Sequence, residues 1–232
     1  TGLTELLQET KLSEKQQRCV DIMLASSEKI TPLLNKLYDY VELADNTLTI
    51  HHDIFNLKEF LQNITEEYKQ LCLNKALKFT FKIDNALPEW VKGSSYFLSH
   101  ILRNLLKNAV HYTEEGQINF LVKKNSKILN DHFNIEIQIQ DTGRGISEEV
   151  TQNLFALFDG ELAQDNLLAQ PGLDLSISAK MLALINGTIL VKSEMGKGSL
   201  FTINLPLLKA ATLKNNTKTH YKHPSESYDE PI

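Results

Sequence analysis

Ser95–Thr113, SYFLSHILRNLLKNAVHYT, is the stretch from which the rest of this 232-residue chain can be read. At the helical advance of about 100° per residue, Leu98, Ile101, Leu102, Leu105, Leu106, Ala109 and Val110 share one broad apolar face. His100, Asn104, Asn108 and His111 form a polar stripe on the other side, with Arg103 and Lys107 at its margin. Asn is a poor helix-interior residue because its side chain competes for backbone hydrogen bonds, and two Asn four apart point the same way. Surface helices are commonly filled with Lys, Glu and Gln, whereas this stripe is nearly uncharged. It reads either as a solvated face or as amide oxygens and imidazoles that line a cavity or hold a metal. What lies downstream separates the two.

Composition sets the bounds. The chain is long enough for one large domain or two small ones, and its 42% hydrophobic and 23% charged shares are those of a soluble globular protein. A net charge of −5 and a pI of about 5.8 argue against a mainly nucleic-acid-binding role. Cys19 and Cys72 are the only cysteines, too few for a disulfide framework or a zinc site, which fits a reduced, cytoplasmic setting. No apolar run approaches the roughly 20 residues of a membrane span and no signal peptide is visible, so no membrane contact is expected from this segment. The chain begins at Thr rather than Met. It is expected to be a piece of a longer protein, whose missing part could anchor it in the inner membrane.

Working outward, the residues before the opening helix divide in two. Thr1–Thr10 reads as the tail of a helix, and Ser13 with Gln16 forms a capping box. The helix it opens runs to about Leu43, with Val20, Leu24, Ser27, Ile30, Leu34, Leu37 and Val41 as a seam of threes and fours. Pro32 should kink it. Such a seam cannot be buried by one hairpin, and is covered by a dimer in a four-helix bundle or by the following domain. Thr47–Asn56 is a polar junction holding His51 and His52; a short amphipathic helix follows on Leu57, Phe60, Leu61, Ile64 and Tyr68. Lys78–Asp84 alternates as a strand, and Asn85–Pro88 is a turn leading to the opening helix.

After that helix, Ile118, Phe120 and Val122 mark a second strand, and Phe133, Ile135, Ile137 and Ile139 mark a third. The third runs directly into Asp141-Thr142-Gly143-Arg144-Gly145-Ile146. A short helix with Phe155 and Phe158, an aperiodic loop over Asp159–Pro171, and a helix over Leu173–Ile185 capped by Asn186-Gly187 come next. Two strands, Ile189–Glu194 and Ser199–Leu205, close a hairpin, and the chain turns polar beyond Pro206. Asp141 can accept a hydrogen bond from an exocyclic amine while the glycines admit a ligand close to the backbone. On its own, the same stretch reads rather as a tight turn with a capping Asp, since Asp-Gly-rich turns are frequent.

The ordered set resembles the catalytic and ATP-binding domain of bacterial sensor histidine kinases, which share the Bergerat-type ATP fold. NLLKNAVHYT is similar to the family's N box, DTGRGI to its G1 box and LFALF to its F box. PGLDLSISAKMLALINGTILVKSEMGKGSLFTINLP is similar to the G2 box and final hairpin. The helical residues before them resemble the dimerisation and phosphotransfer domain, especially of the hybrid type. The resemblance implies an α+β fold: a helical hairpin over residues 1–50, an α/β-sandwich ATP domain with a mixed sheet over 51–208, and a polar tail or linker over 209–232. It also implies ATP and Mg²⁺ as cofactors, a homodimer formed through the N-terminal hairpin, a receiver domain or response regulator as partner, and no nucleic acid. Carried over by position, Asn108 would be the Mg²⁺ ligand and Asn104 would lie near the phosphates. Asp141 would bind the adenine amine, with Gly143 and Gly145 shaping its pocket. Tyr112 would pack near the base, His111 would stand where the N box usually has Lys, and Gly172 with Leu173 would begin the phosphate-facing helix.

The chain departs from the family's pattern in several places. The phosphoacceptor His belongs on a first helix that would precede Thr1, so no catalytic His is expected within the chain. Ser27-Glu28-Lys29-Ile30-Thr31-Pro32-Leu33 copies the spacing of the acceptor box with Ser in place of His, and His52-Asp53 lacks the Pro of an acceptor pair. The G-x-G-x-G of the G2 box becomes Gln170-Pro171-Gly172-Leu173-Asp174. Asp174 brings a carboxylate toward the triphosphate site, where unit charges about 4 Å apart repel by about 4 kcal/mol at an effective dielectric near 20. The loop Asp159–Pro171 carries Asp159, Glu161 and Asp165 and no Lys or Arg. His111 adds little charge near pH 7. All three changes weaken anion binding, and a degenerate pseudokinase that dimerises and scaffolds signalling is the alternative reading.

Overall fold

The computed structural model describes residues 6–7, 10, 12–26, 50–125, 132–148, 151 and 173–210. Residues 14–26 are helical, and Gln16 reaches back to the N–H of Ser13 at 3.0 Å as a capping box requires. The Ser13 hydroxyl donates to the same Gln16 oxygen at 2.9 Å instead of accepting a backbone N–H. Val20, the first seam residue, is buried within the single chain. The rest of the seam beyond residue 26, the Ser27–Leu33 match and the two-Phe helix lie outside the described residues, as does the loop before Leu173.

From residue 53 onward the elements run β1 (Asp53–Asn56), α1 (Leu57–Asn74), β2 (Lys78–Ile83), β3 (Trp90–Gly93), α2 (Ser95–Tyr112), β4 (Gln117–Lys124), β5 (His132–Asp141), α3 (Leu173–Leu184), β6 (Thr188–Glu194) and β7 (Gly198–Lys209). The sheet has the order β1-β3-β7-β5-β4-β2, with β6 paired to β7 as well. Among the described residues only β2 and β4 pair in parallel, so the sheet is mixed. The α+β class and mixed sheet that the resemblance implies are therefore what the chain forms.

The core follows the two periodicities. Every apolar residue assigned to one face of α2, from Leu98 to Val110, is buried. Ile118, Phe120 and Val122 of β4, Phe133, Ile135, Ile137 and Ile139 of β5, and Phe201, Ile203, Leu205 and Leu207 of β7 turn to the same side and join that face in one cluster. The alternate residues Asn134, Glu136, Gln138 and Gln140 form the outer face. Tyr68 fastens α1 to α2, its hydroxyl donating to the Arg103 carbonyl at 2.8 Å.

Four local readings change. The polar junction contains a strand, β1, and a second short strand, β3, stands between the turn and α2; both are four residues long and neither alternates clearly in sequence. The amphipathic helix is longer than read, extending to Asn74 with Cys72 buried on its inner face. Finally, β7 does not stop at Pro206. It continues to Lys209, pairing with β5 as far as Leu208 and with β3 at Leu208 and Lys209. Pro206 has no N–H for the ladder, and a single missing donor does not interrupt pairing on both flanks.

Candidate functional site

Three pieces converge beside the second half of α2: the turn that follows β5, the β6–β7 hairpin behind that turn, and the first turn of α3. Asp141 is the last residue of β5, in register with Ile118 on one side and Ser199 on the other. Its side chain lies inside, with 5% of its surface exposed. Oδ1 accepts the N–H groups of Gly143 at 2.9 Å and Ser199 at 3.3 Å. Burial pushes its pKa above the ordinary Asp value, and those backbone N–H groups oppose the rise. Both bonds use Oδ1, so Oδ2 keeps lone pairs for a ligand's N–H.

The glycines of the turn answer to neighbouring main chain. A Cβ on Gly143 would fall 2.4 Å from the Tyr112 carbonyl oxygen, and one on Gly145 would fall 2.1 Å from the Glu194 carbonyl oxygen. Gly145 also has a φ of +73°, which L side chains adopt at a cost. Between them, Arg144 donates its N–H to the Tyr112 carbonyl at 3.3 Å and accepts the Gly196 N–H at 2.8 Å. Ile146 donates to Ser193 Oγ at 2.8 Å. The turn is thus sewn to the end of α2 on one side and to the hairpin on the other. That holds Asp141 at the mouth between them.

The amide stripe of α2 faces α3. Asn104 Nδ2 donates to the Asp174 carbonyl and, at 2.7 Å, to Ser178 Oγ. Asn108 Nδ2 donates to Asn104 Oδ1 at 3.5 Å. Asn108 Oδ1 is then the oxygen left over. A neutral, hard oxygen of this kind fits Mg²⁺, which keeps several waters and takes few protein ligands when it arrives with phosphates. Among the described residues no group of three or more His, Cys, Asp or Glu could hold a metal by itself. The donor set suits a nucleotide-borne cation and not a resident metal centre.

At the end of α2, His111 is exposed and packs edge-on to Tyr112, ring centroids 4.7 Å apart. Tyr112 is itself 42% exposed, and the Arg144 guanidinium lies over its ring at 4.5 Å, a cation–π arrangement. Leu173 begins α3, with Asp174 in its first turn; Gly172 lies outside the described residues. The structure therefore brings Asn104, Asn108, His111, Tyr112, Asp141, Gly143 and Gly145 to one region.

Residues that motif reading passed over complete the region. Lys75 Nζ donates to the Val110 carbonyl at 2.8 Å and the His111 carbonyl at 3.4 Å, a cation on the C-terminal end of α2. Ser178 grips Asn104 from α3. Nothing in the periodicity around either residue signals those contacts.

Known proteins share the family and the fold of this chain. Residues 93–209 match the family described as histidine kinase-, DNA gyrase B-, and HSP90-like ATPase. The chain is 25% identical over 218 residues to the sensory/regulatory protein RpfC of Xanthomonas campestris pv. campestris, an alignment covering 94% of this chain and 30% of RpfC. It therefore spans about a third of that relative. The structure of full-length ShkA in complex with AMPPNP superposes with a TM-score of 0.75 at 24% identity, covering 91% of this chain and 43% of ShkA. That of the histidine kinase ThkA in complex with the response regulator protein TrrA gives 0.60 at 18% identity, covering 90% of this chain and 55% of the other. At these identities the two structures speak for the fold alone.

Proposed function

The chain belongs to the family of histidine kinase-, DNA gyrase B-, and HSP90-like ATPases, and from that premise we propose that it is the ATP-binding core of a sensor histidine kinase, of the hybrid type. It would pass the γ-phosphate of ATP to a histidine outside this chain, and from there to a receiver aspartate. The observation that carries the reading is Asp141, a buried carboxylate whose Oδ1 is held by two backbone N–H groups. Its Oδ2, which takes neither of those bonds, would accept the exocyclic amine of adenine. Tyr112 offers a ring for the base beside it. At the opposite end Asn108 Oδ1 would ligate Mg²⁺, and the start of α3, with Gly172 and Leu173, would face the phosphates.

Mg²⁺ held by Asn108 would neutralise negative charge on the phosphates. The chain's own contribution is positioning: Asp141 fixes the base, the α2 amides fix the phosphate end, and the γ-phosphate is presented to an acceptor from elsewhere. Dimerisation through residues 1–50 would bring that acceptor within reach, and a receiver domain or response regulator would take the phosphate. ThkA is described in complex with a response regulator, which supports that choice of partner. Among the described residues no helix is long and apolar enough to cross a membrane.

A second reading, a pseudokinase that dimerises and scaffolds, is favoured by Asp174 in the first turn of α3 and by an exposed His111 where a Lys is usual. Titration of ADP with and without Mg²⁺ into wild type and Asp174→Gly separates the two. We expect wild-type binding, strengthened roughly tenfold by Asp174→Gly once screening discounts the bare repulsion. No binding by either form would overturn the kinase reading. Binding unchanged by the substitution would remove the argument from Asp174. Autophosphorylation is then measured on a longer form that would carry a first helix with its histidine.

A further inference from the structure

We infer that Ser178 is a positioning residue for the Mg²⁺–nucleotide site, because with the Asp174 carbonyl it holds the direction of an amide relay that ends on Asn108 Oδ1. The inference rests on the ATP-binding reading and adds to it the group that orients the cation's ligand.

The direction of the relay follows from which atoms can donate. The Asp174 main-chain carbonyl can only accept, so the end of Asn104 that faces it must be the NH₂ group. Ser178 Oγ spends its own proton on the same carbonyl at 2.8 Å. Its oxygen is therefore an acceptor, and it receives Asn104 Nδ2 at 2.7 Å. With its nitrogen committed to α3, Asn104 turns Oδ1 back along α2. The atom of Asn108 that meets Oδ1 must then be its NH₂. Asn108 Oδ1 is left pointing out of the relay as an acceptor, the polarity a cation requires.

Ser178 has no exposed surface and acts only through Asn104. Without it, the nitrogen of Asn104 keeps only the Asp174 carbonyl as acceptor, and one bond holds the amide less firmly than two. A turned Asn104 would offer NH₂ to Asn108 and draw the Asn108 oxygen inward, away from the cation. Ser178 thus stands to Asn108 as outer-shell partners stand to metal ligands generally. Its location on a different helix, 74 positions from Asn104, is why no motif points to it.

The test measures ADP affinity in excess Mg²⁺ and in EDTA for wild type, Ser178→Ala, Asn104→Ala and the double variant, with thermal unfolding of each. The expected result is that Ser178→Ala cuts the Mg²⁺-dependent gain in affinity about tenfold and leaves the EDTA affinity within about twofold. The double variant should be no worse than Asn104→Ala, since the serine works through that amide. Ser178→Thr keeps the hydroxyl and should retain the gain, which covers the case in which Ser178→Ala is poorly folded. An equal loss with and without Mg²⁺, an undiminished Mg²⁺ gain, or additive effects in the double variant would overturn the role of Ser178 while leaving ATP binding intact. Absence of ADP binding by wild type in both conditions would instead overturn the ATP-binding reading itself.

Discussion

Asp53 Oδ1 accepts the main-chain N–H of Ser95 at 3.0 Å, across 42 positions of sequence. The Ser95 hydroxyl donates to the other oxygen of the same carboxylate. Ser94 occupies the N-cap position of α2 but makes no side-chain capping bond. The cap therefore comes from β1, in which Asp53 lies opposite Gly93. The first strand of the sheet thus holds the start of the helix that carries Asn104 and Asn108. The carboxylate also favours the positive end of the helix dipole. His52-Asp53, which faintly resembles an acceptor pair, has this structural use for its Asp.

Asp53→Ala should lower stability by about 1 kcal/mol, the usual cost of losing a cap, and Asp53→Asn should keep most of it. Urea unfolding followed by circular dichroism measures both. Equal stability of all three proteins would mean the bond to Ser95 contributes nothing.

Gly145 and Gly196 provide a controlled comparison, since their φ values are nearly the same at +73° and +78°. A Cβ on Gly196 meets nothing within 4 Å, whereas one on Gly145 meets the Glu194 carbonyl. Gly196→Ala should cost only the left-handed backbone penalty, about 1 kcal/mol. Gly145→Ala should cost at least about 2 kcal/mol more, because main chain rather than a flexible side chain must move. It should also displace the Asp141 turn and weaken ADP binding, which Gly196→Ala should not.

Asp141 couples stability and affinity with opposite signs. Burial is the main reason its pKa stands above the ordinary Asp value, so the folded state holds the proton more tightly than the unfolded chain. Its contribution to stability is therefore fullest below the unfolded value and is lost as pH rises through the raised folded value. Adenine binding needs the charged acceptor and weakens as pH falls through that same raised value. Acidification should reduce ADP affinity at a pH above that expected of an exposed Asp. Asp141→Asn removes the buried charge, so the domain should be at least as stable at pH 7. Its NH₂ would face the adenine amine donor to donor, and ADP affinity should fall at least about a hundredfold. Denaturation and ADP titration from pH 4 to 8 test both signs.

Tyr68 should behave as a buried donor. Burial is the largest reason that its phenol pKa is pushed up to about 12, so its absorbance should titrate well above the exposed tyrosines. Tyr68→Phe removes the bond to the Arg103 carbonyl and should cost about 1 kcal/mol without changing the Mg²⁺ dependence of ADP binding.

Much of the fold was legible because it is periodic. The apolar face of α2 and the alternation of β5 are local rules of 3.6 and 2 residues, and burial selects the same side chains that the spacing selects. Asp141 was legible for a related reason, since a carboxylate at the end of such a strand followed by two glycines is itself a local pattern. The short strands β1 and β3 were not, because four residues carry too little alternation, and their pairing partners are distant in the chain.

What the residues determined alone, then, is which side chains of the longer helices and strands are buried. Backbone geometry repeats every few positions, and any pattern matching it is visible in one dimension. Only the tertiary structure decided that Asp53 caps α2, that Lys75 holds its far end, that the Glu194 carbonyl leaves no room for a Cβ at Gly145, and that Ser178 and the Asp174 carbonyl receive the Asn104 amide. Each of these is a hydrogen bond or close approach between segments tens of residues apart. Such contacts depend on where the sheet and helices place their ends, and no spacing along the chain encodes that.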